Sequence, residues 1–428
     1  MKQAVVVGSG AGGAAIAREL AGSFDVTILE EGRPFRPLSF TMPFMETLKG
    51  SGMLLDERMT GALFPPMRIR RSTGGMALVS GRCVGGTTTI SAGNALRMDH
   101  DLKDIGIDLD REFEQLSREV PVSDDHAQGW RSDTRDLFAL CRGMGLSPRP
   151  TPKLIDFRKC GRCGRCILGC PTGAKWDARA FVRQAVEKGS RLVDRCRAEK
   201  VQVEGKRAAG VWAVHAGRRR FFPADVVVVA AGGLDTPAIL TRSGIPSDGG
   251  LFVDPVLCLS GRWDGAGPQG EISMPFVIQR DGYILSPYFD YLSYFYNRRW
   301  RRPGAGTLSL MVKLADSGEG SAAQRRIRKG LTARDKAKLD EGIRVCRDIL
   351  LRLGVKESSL VPGTVNAGHP GGMVALHAAD ALSLHPSWLP ANLYVSDASL
   401  LPRSIGNPPI LTVMALALAV GNRVKEAA

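Results

Sequence analysis

Short apolar runs, each closed by glycine or a charge, organise the first thirty positions. Gln3–Val7 is apolar after its first residue, as a strand covered on both faces must be. Small residues follow, and then Ala14, Ile16, Ala17 and Leu20 recur at helical spacing. Val26–Leu29 repeats the strand pattern and stops at Glu30. The pattern returns at Asp225–Ala231, which ends in Gly232-Gly233 before Thr236-Pro237 opens a helix. Lys200–Glu204 and Val211–Val214 read as a hairpin feeding that strand. Residues 100–155 read as mostly helical with polar breaks, and 256–330 as a sheet. Thr332-Ala333-Arg334-Asp335 forms a capping box for a helix with Leu339, Ile343, Cys346, Leu350 and Leu353 on one face, stopped by Gly354. That face makes Cys346 a core residue. An apolar helix runs from Thr412 to Val420 or beyond.

Composition narrows this only slightly. At 428 residues the chain can hold two domains, and 44% hydrophobic with 24% charged residues is ordinary for a globular protein. A net charge of +15 permits nucleic acid, an anionic membrane face or an acidic partner. No nucleic-acid motif accompanies it, which leaves the last two. Four of the nine cysteines fall in one run of eleven residues, which argues against a disulfide framework and for a reducing, cytoplasmic setting. The first strand starts at once, so no secretory leader is expected. No apolar run approaches about 18 residues. No internal repeat or low-complexity segment is present.

The glycines carry the first chemistry. Gly8, Gly10 and Gly13 fall between strand and helix in the dinucleotide order: one for the turn, one for pyrophosphate approach, one for helix packing. Glu30, at the next strand tip, is placed to accept from ribose hydroxyls. The order predicts an α/β fold with a Rossmann-like domain. A second glycine-rich turn, Ser80–Thr88, brings Arg82, Gly85, Gly86 and Thr87 as further cofactor contacts. Val201 and Gly232 are expected to touch the cofactor as well.

The second chemistry is a cysteine run, Cys160-x-x-Cys163-x-x-Cys166-x-x-x-Cys170-Pro171, which has the spacing of bacterial ferredoxins. It predicts a four-iron cluster, or a three-iron cluster on three of the thiols. Cys170 completes a local site, or Cys83, Cys141 or Cys196 supplies the fourth ligand. A structural zinc or a set of reduced thiols are the other readings. Arg158, Lys159, Arg162, Arg165 and Lys175 surround the run. Their charge favours a reduced cluster or the docking of an acidic electron carrier.

Near the C-terminus stand Gly368-His369-Pro370-Gly371-Gly372, Asn392–Pro402 and Gly406-Asn407-Pro408-Pro409. With the two glycine turns, these resemble the glucose–methanol–choline (GMC) oxidoreductases. Cys170–Lys175 is similar to the branch with long-chain alcohol and sterol enzymes. The resemblance implies bound FAD, with His369 at the flavin face taking an alcohol proton while hydride passes to flavin N5. It implies that Asn407 orients the substrate oxygen. Asp397 would reach the ribityl chain, and the helix after Pro408 would aim its N-terminus at the flavin. The segment departs from the family where His369-Pro370 runs directly into two glycines, and where Ile405-Gly406 precedes Asn407. His377 and His385 lack this glycine setting and read as structural.

Together these predict an α/β FAD-binding domain from 1–99, 190–255 and 385–428. Residues 100–189 form a helical insertion with the cysteine loop at 158–176. Residues 256–384 form a substrate domain on an antiparallel sheet. Within it, Pro287–Trp300 packs Tyr288, Phe289, Tyr291, Tyr294, Phe295, Tyr296 and Trp300 beside Arg298, Arg299, Arg301 and Arg302. It reads as a pocket-lining strand with an exposed basic turn, or as a membrane interface, with peripheral contact to the inner membrane face, or a partner surface. The expected activity is an alcohol dehydrogenase that passes electrons from FAD through the cluster to an electron-transfer protein or quinone. The alternatives are an oxygen-using alcohol oxidase, and an electron-transfer subunit without its own alcohol substrate.

Overall fold

A computed structural model describes residues 1–39, 42–51, 57–247, 249–264, 267, 270–297, 299–300, 304, 306–323 and 326–427. Among them, five short strands form a parallel sheet in the order Leu393–Val395, Val226–Val229, Gln3–Val7, Asp25–Leu29, Arg191–Val193. Gln3–Val7 lies at its centre, so Val5 faces Val227 on one side and Thr27 on the other. Helices Ala11–Leu20 and Ile410–Glu426 pack against each other beside this sheet, and their apolar residues join its core. The two ends of the 100–189 segment join the same core. Helix Asp110–Glu119 packs on Ile410–Glu426, and helix Arg179–Glu187 packs on Ala11–Leu20.

The expected hairpin is longer than its apolar positions suggested and has a third strand. Cys196–Glu204, Arg207–His215 and Arg218–Pro223 form an antiparallel sheet. The third strand is mostly exposed and begins with three arginines, so no alternation announces it.

A second, larger sheet is almost wholly antiparallel. Its order is Met67–Arg71, Ala77–Gly81, Asn366–Ala367, Val256–Arg262, Thr307–Leu314, Tyr283–Pro287, Phe276–Arg280, Arg149–Pro150, with Val361–Pro362 also pairing to Val256–Arg262. Strand alternation gives it two distinct faces. Leu259, Tyr283, Leu285, Leu310 and Val312 pack under helix Ala333–Arg352, against Leu339, Cys346, Ile349 and Leu350. Val256, Cys258, Val277, Ile284 and Met311 face the other way, toward Ile167 and Leu168 of the cysteine loop.

The aromatic run corrects the strand expectation. Tyr291–Tyr296 is a short helix, capped by the Asp290 carboxylate accepting from the Leu292 N–H at 3.1 Å. Tyr291, Tyr294, Phe295 and Trp300 are buried in the sheet's inner cluster. The cap and the helical spacing of these rings outweigh the β-propensity of single aromatics. Arg299 is exposed, and Arg298, Arg301 and Arg302 lie outside the described residues. No described helix is long and apolar enough to cross a membrane.

Helix Ala333–Arg352 starts as expected. Thr332 Oγ1 accepts from the Asp335 N–H at 3.1 Å, and Asp335 Oδ2 accepts from the Thr332 N–H at 3.0 Å. Thr332→Ala should lower stability by about 1 kcal/mol, read from denaturant melts, with flavin content per protein unchanged.

Candidate active site

The three fingerprint glycines do three different things. A Cβ on Gly8, whose φ is +100°, would sit 2.2 Å from the Ala230 carbonyl oxygen. One on Gly13 would sit 2.1 Å from the Gly8 oxygen. These two close strand, turn and helix together. One on Gly10 meets nothing nearer than the Gly86 Cα at 4.0 Å, and Gly10 borders a cavity of about 860 Å³. The backbone is open there, where a pyrophosphate has to approach.

Glu30 ties the two glycine turns together. Its carboxylate accepts from the Ser9 hydroxyl at 2.6 Å and the Gly32 N–H at 2.8 Å, and Ser9 Oγ accepts from the Gly85 N–H at 3.1 Å. Burial raises the Glu30 pKa, and these donors oppose that shift.

The cavity's volume is in the range of small-molecule and cofactor sites. Its wall includes the expected Gly8, Gly10, Glu30, Arg82, Gly86, Thr87, Gly232, His369 and Asp397. Gly13, Gly85, Val201 and Pro408 stand behind the wall rather than on it. Cys196–Ala198 takes the place expected for Val201, and Pro409 with Ile410 the place of Pro408. The helix Ile410–Glu426 therefore starts at the cavity. Asp397 is held by the Gly232 N–H at 2.8 Å, the Thr236 hydroxyl at 2.5 Å and the Ser399 N–H at 2.8 Å. Burial raises its pKa against those bonds.

Apart from Arg82, sequence reasoning missed the charged rim. Arg70 binds Asp235 at 2.8 and 3.0 Å, Arg68 reaches Glu31 at 3.4 Å, and Arg82 reaches Glu31 at 3.1 Å. All five line the cavity. The signal was present as Arg68 and Arg70 two apart on one strand, hence on one face.

His369 is exposed only in part, 24% by side chain, and lines the cavity. Its Nδ1 is buried, 3.6 Å from Oδ2 of Asp254, with no hydrogen-bond partner at closer range. Asp254 is wholly buried and ion-paired to Lys313, which is 2% exposed. The Ser404 hydroxyl donates to its other oxygen. Burial and the Lys313 charge lower the His369 pKa, opposed by Asp254.

Asn407 is buried and does not line the cavity. It pairs amide to amide with Gln279, accepting at 3.0 Å and donating at 3.4 Å. The sheet explains both supports. Gln279 lies opposite Ile284, and Ile284 opposite Lys313, so Gln279 and Lys313 share one row and one face, about 10 Å apart across two strands. His377 and His385 are structural. His377 caps a short 3-10 turn through Asp380, and His385 Nε2 sits 3.0 Å from the Leu393 carbonyl oxygen.

Cys160, Cys163, Cys166 and Cys170 line one small cavity of about 10 Å³, all as free thiols. Cys83, Cys141 and Cys196 lie in three other parts of the core, and burial raises their thiols to about 12, 12 and 11. Among the described residues, no three His, Cys, Asp or Glu side chains converge as ligands of a single metal ion. The Cys170 sulfur accepts from the Lys175 N–H at 3.4 Å. Two buried lysines flank the run. Lys175 Nζ donates to the carbonyls of Thr88, Thr89, Ser91 and Cys166 at 2.8 to 3.1 Å. Lys153 Nζ donates to Asn94 and to the Ser273 carbonyl, both at 2.5 Å. Burial pushes Lys153 down to about 7 and lowers Lys175.

The GMC oxidoreductase family model matches residues 3–256. An uncharacterised GMC-type oxidoreductase of Mycobacterium tuberculosis is 29% identical over 98% of this chain and 75% of its own length. A long-chain-alcohol oxidase of Arabidopsis thaliana is 24% identical over 99% of this chain and 66% of its own. Pyridoxine 4-oxidase from Mesorbium loti superposes with a TM-score of 0.73 at 17% identity, covering 99% of both chains. A formate oxidase variant from Aspergillus oryzae superposes at 0.72 and 16%, covering 100% of this chain and 98% of its own.

The glycine roles predict a contrast. Gly10→Val should leave folded protein, by circular dichroism, with little flavin. Gly13→Val should yield little soluble protein, because its Cβ meets backbone.

Proposed function

The chain belongs to the GMC oxidoreductase family and is an FAD-dependent oxidoreductase acting on CH–OH groups; from that premise we propose that it is an alcohol dehydrogenase whose electrons leave through an iron–sulfur cluster on Cys160, Cys163, Cys166 and Cys170. The open backbone at Gly10 and the 860 Å³ cavity fit FAD. Gly8, Gly10, Glu30, Gly86, Thr87 and Asp397 would hold it. When bound, FAD would supply the acceptor for the carbinol hydride.

This chain's residues handle the proton. His369 Nε2 would accept the alcohol O–H proton, with Nδ1 turned back toward Asp254. A histidine with a lowered pKa stays neutral, and so able to accept, down to more acidic pH. Asn407, held by Gln279, would orient the substrate oxygen once the pocket is filled.

The observation that supports the cluster reading is the pair of buried lysines beside four thiols that line one small cavity without yet converging as ligands. Among the described residues, no carboxylate lies within ion-pair distance of Lys153 or Lys175. Burial disfavours the charged form of both lysines, and an anionic thiolate cluster beside them would favour it. A tetrahedral zinc would draw the thiolates to about 3.8 Å apart, given a Zn–S bond near 2.3 Å. A cuboidal cluster spaces them more widely, but it needs more room than 10 Å³, so the loop would have to open. Exposed Arg158, Lys159 and Arg162 beside the loop suit an acidic electron carrier. A quinone is the other acceptor this reading allows, and the cytoplasm or the inner membrane face its setting.

A second reading, an oxygen-using alcohol oxidase, is favoured by the relatives named oxidases. Protein purified without oxygen distinguishes the two. Iron, sulfide and a paramagnetic signal on reduction are expected, and should vanish in Cys166→Ala. Flavin without iron, together with peroxide production, would establish the oxidase instead. His369→Ala should cut kcat by about 10²- to 10⁴-fold with flavin content unchanged.

A further inference from the structure

Resting on the reading of His369 as the base, we propose that Asp254, clamped by Lys313, is its positioning residue: its carboxylate accepts a hydrogen bond from Nδ1–H, which keeps the proton on Nδ1 and leaves Nε2 bare toward the cavity.

The case begins with what holds Asp254. It is fully buried, and Lys313 and Ser404 each take one of its oxygens. Its backbone lies at φ +53°, in the left-handed region that non-glycine residues rarely occupy. Asp316 fixes that turn by accepting from the Val253 N–H at 3.1 Å and the Asp254 N–H at 2.8 Å. Asp316 is itself paired with Lys329 at 2.8 Å, and both are wholly buried. Two buried ion pairs and one strained residue thus fix a single carboxylate beside one buried, unpartnered nitrogen, His369 Nδ1. Buried ion pairs are in general weak evidence for stability, since apolar residues of similar volume often serve as well. These two pairs do fix the direction of Oδ2.

The consequence for chemistry is a choice of tautomer. With its proton on Nδ1 and facing Asp254, the neutral imidazole presents a lone pair on Nε2. When Nε2 takes the substrate proton, Asp254 stabilises the resulting cation and Lys313 opposes it. The charged groups packed around His369 are therefore Asp254 and Lys313 directly, Asp316 and Lys329 behind them, and Asp397 on the cavity wall.

The test uses three variants of the flavin-loaded protein. The chain has six histidines, so nitrogen-15 imidazole signals can be assigned to His369 by their absence in His369→Ala. The wild type should show the Nδ1–H tautomer, and Asp254→Asn should lose it. Asp254→Asn should also cut kcat on the order of 10³-fold with little change in KM. The acid limb of kcat/KM should move to lower pH in Asp254→Asn and to higher pH in Lys313→Met. An ion pair acting by charge alone would move these limbs without changing the tautomer, so the tautomer is the readout specific to positioning. An unchanged tautomer in Asp254→Asn, or acid limbs that coincide with wild type, would overturn the proposal. If Asp254→Asn fails to fold, the wild-type tautomer and the Lys313→Met limb decide it. Full activity in His369→Ala would instead remove the underlying reading of the base.

Discussion

Two glycine turns, 76 residues apart, meet backbone to backbone, and the cavity exists because they do. Gly86 approaches Gly10 so closely that a Cβ on Gly86 would lie 2.8 Å from the Gly10 Cα. The contact is held by a short polar chain, Glu30 to Ser9 to the Gly85 amide. Remove that chain and the strand tip, the first turn and the second turn lose their common anchor. Everything that lines the cavity is placed relative to this junction.

The larger sheet meets that junction from the other side. Strand alternation gives one of its faces to helix Ala333–Arg352 and turns the other toward the cysteine loop. On that inner face one row carries Lys313 and Gln279 with Ile284 between them. Each supports one of the two residues the family resemblance singles out: Gln279 holds Asn407 directly, and Lys313 reaches His369 through Asp254. The period of a strand thus sets the spacing of the supports of Asn407 and His369, which no loop could do as rigidly.

Charge is distributed unequally between the two candidate redox sites. Around His369, buried Lys313 and Lys329 are matched by Asp254 and Asp316. Around the cysteines, Lys153 and Lys175 are met by carbonyls and an amide. Lys175 also ties the cysteine loop to the 88–91 backbone at the end of the second glycine turn. That tie brings the thiol cavity next to the nucleotide domain although the two are distant in sequence.

Much of the architecture was legible in local pattern. Gly8, Gly10 and Gly13, the valine runs and the Thr332 capping box each specify their own backbone through nearest neighbours, and all appear as read. The helix at Tyr291–Tyr296 was misread because its cap, Asp290, gives a weaker signal than the aromatic run it starts. The exposed strand Arg218–Pro223 has no buried face to betray it. The cysteine spacing marked a loop chemistry, yet only folding shows all four thiols on one cavity and Lys153 beside them. Nothing local connects Asp254, Lys313 and His369. Their meeting depends on strand register and on the turn held by Asp316, which are long-range contacts that no local pattern contains.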